Sequence, residues 1–344
     1  MTHPRIAETD RLILPESSAA QLGYRMPAEF EPLSCIWLAL PFNPETWPGC
    51  LDDAQKQFAD WVDVMRQAVP VSTTDELGIE TNDSWIRDFG PIFVVNRDKS
   101  ASAPLACHDF HFNTWGGKYE VRDRDDVVPQ QIARQLGLPI WIHDFVLEGG
   151  SIDVNGQGTV MTTEQCLLNP NRNPALSRSE IEAKLHETLG TRHVIWLPGG
   201  IEGDDTDGHI DDVARFIAPA TVVAVSAPPD HPDHAMTQRN LAALRSAVDQ
   251  DGRPLRVIEL PVPNPIFYDY PEGRSPVPAS YANFVIANGH VFVPTFDQPA
   301  DDRALAVLSG AMPGYSVIPV PAHWLVVGLG ALHCLSQQQP APDS

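Results

Sequence analysis

The fold is decided by the stretch Ser177–Pro198, which reads SRSEIEAKLHETLGTRHVIWLP. Ser177 and Glu180 have the spacing of a capping box at the start of a helix, and Gly190 is a typical helix stop. The apolar run Val194–Leu197 follows after a short link and predicts a buried strand. The stretch is therefore one helix–link–strand unit.

The same unit recurs four more times. Four further segments have helical periodicity and each is followed by an apolar run: residues 54–65 by Val69–Val71, 128–136 by Pro139–Ile142, 236–248 by Val257–Pro261, and 305–312 by Val317–Pro321. Hairpin-like segments lie between the units, at Pro91–Asn96, Ile152–Thr163 and Asn283–Thr295, the last two around Asn-Gly turns. Repetition of one unit predicts that each unit buries its apolar face on the next. We expect a mixed α/β protein of five related units around a centre, in a single domain of residues 1–344.

The charge balance narrows the class of partner. The chain has 23 Lys and Arg against 45 Asp and Glu, a net charge of −22. Part of this excess is explained by a well-solvated surface. An excess of negative charge also repels nucleic acid and anionic membranes and favours cationic ligands. We therefore expect a small cationic partner, no nucleic acid and no membrane, and a homo-oligomer is compatible with this composition.

The cysteines and the N-terminal residues indicate the compartment. The five cysteines are far apart and form no C-x-x-C pair, which predicts neither a disulfide framework nor a structural zinc site. Residues Met1–Tyr24 contain charges throughout and lack the apolar core of a signal peptide. No apolar run reaches the ~20 residues that a membrane span requires. These features predict a soluble cytoplasmic protein.

Unusual polar clusters follow the predicted strands. They are Asn82–Pro91, Glu148–Gly150, Gly203–Asp211 and Gly328–Cys334, and a long proline-rich loop, Pro263–Ser280, is expected to shape a substrate site. Loops after equivalent strands of related units should converge at one end of the molecule. Alone, Cys334 would be a small buried apolar residue, His209 a structural histidine and the acidic loops turns. Their coincidence in equivalent loops favours a catalytic interpretation.

These residue types suit one kind of chemistry. A cysteine such as Cys334 attacks as a thiolate, which a nearby cation stabilises, and a histidine such as His209 transfers protons in both directions. Paired carboxylates, which the acidic loops can supply, match the planar fork of a guanidinium. Grouped buried carboxylates are costly without a cation, so the substrate is expected to be positively charged.

Seven motifs together resemble one known family. They are Gly23–Pro27, Asn82–Pro91, Phe112–Gly117, Glu148–Ser151, Cys166–Pro174, Gly203–Asp211 and His333–Gln338. The chain resembles, over nearly its whole length, the agmatine deiminases and bacterial-type peptidylarginine deiminases of the guanidine-modifying (pentein) superfamily. The resemblance implies a five-bladed α/β propeller of ββαβ units in pseudo-fivefold arrangement around a central active site, which agrees with the five units counted above.

The resemblance also implies roles for residues. Asp88 and Asp211 would grip the guanidinium nitrogens, while Cys334 attacks the central carbon. His209 would protonate the departing ammonia and then activate the water that hydrolyses the thiouronium adduct. Trp85, Glu148 and Asp205 would line the substrate pocket. No metal or organic cofactor is implied, and the product would be N-carbamoylputrescine if the substrate is agmatine, as in putrescine and polyamine biosynthesis.

Three features depart from the family's pattern. The segment Val71–Thr81 is short, so the first unit is expected to be truncated. Ala331 stands where many agmatine deiminases have asparagine, and Asp153 where plant-like members have histidine. These departures leave the proposed catalytic residues unchanged, but they affect how far the resemblance specifies the substrate.

Other functions remain as alternatives. Peptidylarginine deimination is the first, because a peptide arginine carries the same guanidinium. A metal-dependent guanidine hydrolase would use Asp204, Asp205, His209 and Asp211 to hold manganese, although no second metal-binding cluster is evident. A non-enzymatic binding module would leave the coincidence of Cys, His and Asp unexplained. Arg87 is the only basic residue in the four loop clusters and is expected to pair with acidic neighbours, so agmatine should be preferred over free arginine, whose carboxylate would lack a partner.

Overall fold

The computed structural model describes residues 17–96, 98, 101, 103–119 and 123–342. The prediction that the N-terminal segment is not a signal peptide rests largely on residues 1–16, which lie outside the described residues. Within the described part, no helix combines the length and the apolar character needed to cross a membrane.

The described chain forms a mixed α/β fold. The strands are β1 (Tyr24–Arg25), β2 (Leu33–Leu38), β3 (Val71–Thr73), β4 (Ile92–Asn96), β5 (Leu105–His111), β6 (Ile140–Val146), β7 (Asp153–Val154), β8 (Thr159–Thr163), β9 (His193–Leu197), β10 (Ala214–Ala218), β11 (Thr221–Ser226), β12 (Arg256–Pro261), β13 (Phe267–Tyr270), β14 (Gly273–Pro276), β15 (Val285–Ala287), β16 (His290–Thr295), β17 (Ser316–Pro321) and β18 (Ser336–Pro340). The helices are α1 (Leu51–Met65), α2 (Ile86–Phe89), α3 (Thr114–Gly117), α4 (Val128–Leu136), α5 (Glu164–Leu167), α6 (Arg178–Leu189), α7 (His234–Ser246) and α8 (Pro299–Ala311).

Five of the sheets share one plan. In each, an antiparallel pair of strands is followed by a helix that crosses to a third strand, parallel to the second. The units are β4-β5-α4-β6, β7-β8-α6-β9, β10-β11-α7-β12, β15-β16-α8-β17 and β18-β2-α1-β3, and β1 adds to the outer edge of the first sheet. The five helix–strand units expected from the sequence are therefore present. The strand β3 has three residues, fewer than the corresponding strands of the other units.

The last strand of the described chain pairs with the second strand. Strand β18 pairs antiparallel with β2, with Ser336 opposite Leu38 and Gln338 opposite Ile36. The C-terminal strand thereby completes the unit that contains α1. This pairing anchors the segment that immediately precedes β18, which carries Cys334.

Local sequence signals account for the ends of several elements. The capping box of α6 is formed, with Ser177 Oγ accepting from the Glu180 N–H, and Gly190 ends the helix at φ 65°. Asn288 and Gly289 both have positive φ and turn β15 into β16, as the Asn-Gly hairpin signal predicts.

The region Pro263–Ser280 differs from the expectation of an irregular loop. It contains the hairpin β13–β14. The hydroxyl of Tyr268 donates to the Pro48 carbonyl over 2.6 Å, and that of Tyr270 donates to the Val327 carbonyl over 2.6 Å. Because these bonds reach distant segments, tertiary contacts hold a hairpin that alternation of apolar residues did not reveal.

Candidate active site

The thiol of Cys334 lies at the wall of a cavity of about 560 Å³. Its side chain is buried, and the Asn283 amide nitrogen donates to its Sγ over 3.1 Å. A Cβ atom at Gly330 would fall 2.4 Å from the Trp85 ring and 3.0 Å from the Cys334 Cβ. Gly330, the second glycine of a Gly-x-Gly pattern before the cysteine, thus permits this close approach.

Asp88 is held by two donors at the same cavity. Its Oδ1 accepts from the Gly150 N–H over 3.0 Å, and its Oδ2 accepts from the Trp115 indole over 2.9 Å. Burial raises the pKa of the Asp88 carboxyl to about 6, an effect that the His209 imidazole opposes and that the Asp211 charge reinforces.

Asp211 has one bonded and one unbonded oxygen. Its Oδ2 accepts from His333 Nδ1 over 2.7 Å and lies 3.7 Å from Cys334 Sγ. Its Oδ1 is buried and has no hydrogen-bond partner among the described residues. Burial favours the neutral acid, but the neighbouring His333 and His209 keep the pKa of Asp211 below its usual value. A buried, unbonded carboxylate oxygen is a strong acceptor site for a ligand donor.

His209 lies against Asp88, with Nδ1 3.6 Å from Asp88 Oδ1. Both ring nitrogens are buried and neither has a hydrogen-bond partner in the described part of the chain. Burial disfavours the imidazolium, yet Asp88, Cys166 and Glu148 raise the pKa of His209 well above its usual value. The ring is therefore charged at neutral pH and can donate a proton.

Gly150 is the point on which these three groups converge. A Cβ atom there would lie 2.5 Å from His209 Nδ1, 2.8 Å from Asp88 Oδ1 and 3.1 Å from Asp211 Oδ2. Only glycine leaves room for the two carboxylates and the imidazole around one backbone position. Three of the four loop clusters predicted to converge therefore meet at Gly150, and the fourth joins them through Cys334 Sγ, 3.7 Å from Asp211 Oδ2.

The thiol itself is not activated in this arrangement. Burial, followed by the charges of Asp211, Asp212 and Asp88, raises the pKa of Cys334 well above its usual value. A negatively charged sulfur would be stable here only if a cation entered the cavity beside it.

The three expected pocket residues occupy different places. Trp85 lines the cavity and stacks on Trp47 with ring centroids 5.4 Å apart. Asp205 lines the cavity and accepts from the Tyr119 hydroxyl. Glu148 is fully buried behind His209, outside the cavity-lining residues, and accepts from Arg172 Nε over 2.6 Å.

Arg87 is not paired with acidic neighbours, contrary to the sequence-based expectation. Its guanidinium is buried and donates to the His333 carbonyl over 3.1 Å and to the side-chain oxygens of Gln337 and Gln338. The partners lie on β18 and in the segment before it. Proximity in sequence therefore did not predict which residues Arg87 contacts.

Sequence reasoning missed three residues of the site. Asn283 donates to both Cys334 Sγ and Asp212 Oδ1. Arg172 ties Glu148 to Asp207, with Nη1 2.6 Å from the Asp207 carboxylate. Trp115 binds Asp88. Trp115 and Arg172 lie within two of the resemblance motifs, which was the available signal, whereas Asn283 stood in a segment interpreted only as a hairpin.

The acidic residues of the manganese alternative do not form one ligand set. Asp204 accepts from the backbone N–H groups of Thr206 and His209, and Asp205 meets Tyr119. Two tighter groups, Glu148 with Cys166 and His209, and Asp211 with Asp212 and Cys334, each include a thiol. Manganese prefers carboxylate, carbonyl and water oxygens, so these donor sets fit it poorly.

Comparison with known proteins bears on the same site. Agmatine deiminases from Pseudomonas aeruginosa (strain LESB58) and Ectopseudomonas mendocina are 37% and 38% identical to this chain, covering 95% and 93% of it and 98% and 96% of their own lengths. The solved agmatine deiminase of Enterococcus faecalis superposes with a TM-score of 0.90 at 34% identity, covering 96% of this chain and 99% of its own. A substrate-bound agmatine deiminase of C. jejuni superposes with a TM-score of 0.83 at 30% identity, covering 92% and 96%.

A more distant structure shares the fold alone. A dimethylarginine dimethylaminohydrolase superposes with a TM-score of 0.52 at 13% identity, over 89% of this chain and 99% of its own. The sequence pattern of Porphyromonas-type peptidyl-arginine deiminases matches residues 25–340, which include every residue of the site described above. With a match of that extent, the chain belongs to the Porphyromonas-type peptidyl-arginine deiminase family.

Proposed function

We propose that this protein is an agmatine deiminase, a hydrolase of the C–N bond of linear amidines, which converts agmatine and water to N-carbamoylputrescine and ammonia. The observation that carries the proposal is the convergence of Asp88, Asp211 and His209 on Gly150, with Cys334 Sγ 3.7 Å from Asp211. Two carboxylates, an imidazolium and a thiol are the groups that cleavage of a guanidinium C–N bond requires. The names and extensive similarity of the relatives support the same activity.

Binding comes first in the proposed mechanism. The unbonded Oδ1 of Asp211 and the Asp88 carboxylate accept from the guanidinium nitrogens. The positive charge offsets the carboxylates that hold the pKa of Cys334 high, so the thiol loses its proton to solvent when substrate is bound. The substrate thus activates the nucleophile that attacks it.

Attack and hydrolysis then share one proton carrier. Cys334 Sγ forms a bond to the central guanidinium carbon, and the His209 imidazolium protonates one terminal nitrogen, which leaves as ammonia. The neutral imidazole next takes a proton from water, whose oxygen attacks the thiouronium carbon. The C–S bond breaks, the proton of the added hydroxyl passes to the Cys334 sulfur and restores the thiol, and a neutral ureido product is left.

The cavity lining supports a cationic, carboxylate-free substrate. Glu45, Asp83, Asp205 and Glu272 line it together with Asp88, and none of the lining residues that the structure describes is Lys or Arg. An ammonium at the far end of agmatine suits these acids, whereas the carboxylate of free arginine would meet like charge. Peptidylarginine is the second candidate, favoured by the description of the family that the chain matches.

The proposed architecture is one catalytic domain of residues 1–344, folded as a five-bladed propeller of pseudo-fivefold related units around the site. Five sheets with one strand plan and the pairing of β18 with β2 support it. The net charge of −22 and the five free cysteines support a cytoplasmic enzyme that binds neither nucleic acid nor membranes. Neither metal nor organic cofactor has a role, because side chains supply the nucleophile, acid and base.

The test is a comparison of kcat/KM for agmatine, free L-arginine and an arginine peptide at one salt concentration. We expect agmatine to exceed free arginine by about 30- to 1,000-fold, the effect of burying an unpaired carboxylate among like charges. A preference for free arginine would overturn the electrostatic argument, and a preference for the peptide would move the assignment to peptidylarginine. Activity should also survive exhaustive EDTA treatment; loss that added manganese restores would favour the metal-dependent alternative.

A further inference from the structure

The His333 side chain lies between two carboxylates. Its Nδ1 is 2.7 Å from Asp211 Oδ2, and its Nε2 is 2.8 Å from Glu29 Oε2. His333 is 2% exposed, so no solvent competes for either nitrogen. The mechanism proposed above does not use this residue, although it adjoins Cys334 in sequence.

The two contacts determine the protonation of the ring. A neutral imidazole carries one N–H, so its other nitrogen would turn a lone pair toward a carboxylate oxygen at hydrogen-bond distance. Two such contacts are both favourable only when both nitrogens carry protons. Glu29 also accepts from Arg215 and from the Ile286 N–H, which favours its ionised form and leaves the proton on the ring.

The charged groups around the ring balance only if it is an imidazolium. Arg215, on β10, is bonded to Glu29 and to Asp153, and Arg87, on α2, donates to the His333 carbonyl. Together with Asp211, the acids of this cluster number three: Glu29, Asp153 and Asp211. Arg87 and Arg215 supply two positive charges, and a third on His333 makes the buried cluster neutral. Buried charge without a counter-charge is costly.

We propose that His333 is a positioning residue, an imidazolium held between Glu29 and Asp211, which occupies Asp211 Oδ2 and so leaves Oδ1 as the oxygen that receives the guanidinium. The proposal rests on the function assigned above. The backbone around His333 is fixed as well, because its N–H donates to Asn283 Oδ1 over 2.9 Å. Asn283 in turn donates to Cys334 Sγ, so the orientation of the acid and that of the nucleophile depend on one segment.

A matched pair of variants distinguishes the contact of Nδ1 with Asp211 from the contact of Nε2 with Glu29. The amide nitrogen of His333→Asn can replace Nδ1 and keep the bond to Asp211, whereas that of His333→Gln can reach toward Glu29 and loses Asp211. Both are neutral. We expect the KM for agmatine to rise about tenfold or more in His333→Gln and less in His333→Asn, since a hydrogen bond to a charged group is worth about 1.5–3 kcal/mol, or roughly 10- to 150-fold. Equal losses in both variants, in proportion to their loss of thermal stability, would overturn the positioning role.

The protonation state is tested without any turnover. In protein labelled with ¹⁵N-histidine, the ring signals missing from His333→Asn identify His333. We expect both ring nitrogens to carry protons, because each lies at hydrogen-bond distance from a carboxylate oxygen. A single N–H at about pH 7.5 would overturn the imidazolium. This result holds even if agmatine proves not to be the substrate, so failure of the present proposal and failure of the assigned function are distinguishable.

Discussion

At the scale of single residues, the site holds acids and a thiol whose charged forms are disfavoured until a cation arrives. Burial raises the pKa of Asp88 to about 6, and that of Asp212 lies well above its usual value for the same reason and because Asp211 and Asp204 are close. Burial and the neighbouring carboxylates also raise the pKa of the Cys334 thiol well above its usual value. A guanidinium that enters the cavity relieves all three, so binding and activation are one event.

The pH dependence of activity should follow Asp88. The carboxylate binds the substrate and the acid does not, so kcat/KM for agmatine should fall tenfold per unit as pH decreases below about 6, the pKa of this carboxyl in the folded protein. Initial rates at low substrate concentration across pH 5–8 measure it. An acidic limb near about pH 4, the ordinary range of a carboxyl, would contradict the role of burial.

Replacing the nucleophile should separate binding from chemistry. Cys334→Ala should lose at least about a thousandfold in kcat, because nucleophile and proton carrier act as a unit, while agmatine still raises its melting temperature. Asp88→Asn, which offers an –NH₂ where the guanidinium needs an acceptor, should show no such thermal shift. A Cys334→Ala rate above about a tenth of that of the unaltered protein would remove Cys334 from the mechanism.

At the scale of elements, short local devices set where helices and hairpins end, and distant pairings set where the site residues stand. The helix α2 presents Asp88 toward the cavity, while the neighbouring Arg87 donates to two of the glutamines of β18, Gln337 and Gln338. The cap of α6, in contrast, is exposed and makes no contact with the site. A substitution at the cap of α6 should therefore change the stability of the protein without changing its activity.

Removal of the α6 cap should lower stability alone. Ser177→Ala deletes the oxygen that accepts from the Glu180 N–H and should reduce the free energy of unfolding by about 1 kcal/mol. Denaturant unfolding measures the change, and kcat and KM should stay at their original values. Ser309→Ala, at an exposed position inside α8, is the control and should change stability by less than about 0.5 kcal/mol. Equal effects of the two substitutions would show that the capping box contributes nothing.

At the scale of the whole molecule, the net charge of −22 acts on both stability and binding. Like charges repel across the folded surface, and the acidic lining of the cavity attracts a cationic substrate over long range. Both effects are weakened by salt, because the screening length decreases from about 30 Å at 0.01 M to about 8 Å at 0.15 M.

Added salt should therefore have opposite effects on stability and on substrate capture. From about 0.01 M to about 0.15 M NaCl, the melting temperature should rise as repulsion is screened, whereas kcat/KM for agmatine should fall several-fold. Scanning calorimetry and initial rates in the same buffers measure the two. A melting temperature that decreases with salt would show that attractive ion pairs, not repulsion, dominate the surface charge.

The sequence by itself determined what depends on neighbouring residues. Capping at Ser177, the stop at Gly190 and the Asn288-Gly289 turn are local, so periodicity and turn chemistry were sufficient to predict five helix–strand units. Polar loops after strands indicated where a site would form, and the resemblance to a known family selected Asp88, His209, Asp211 and Cys334 within them. The hairpin β13–β14 escaped because its tyrosine hydroxyls bind distant backbone.

Only the tertiary structure decided the contacts between residues far apart in the chain. His333 meets Glu29 across 304 positions, and β18 pairs with β2 across the length of the chain, which no periodic pattern encodes. The protonation of the site was also a tertiary property, because burial and the charges that packing brings together set the pKa of Asp88, His209 and Cys334. Residue type indicated which chemistry was available, and packing determined which groups hold protons when the substrate arrives.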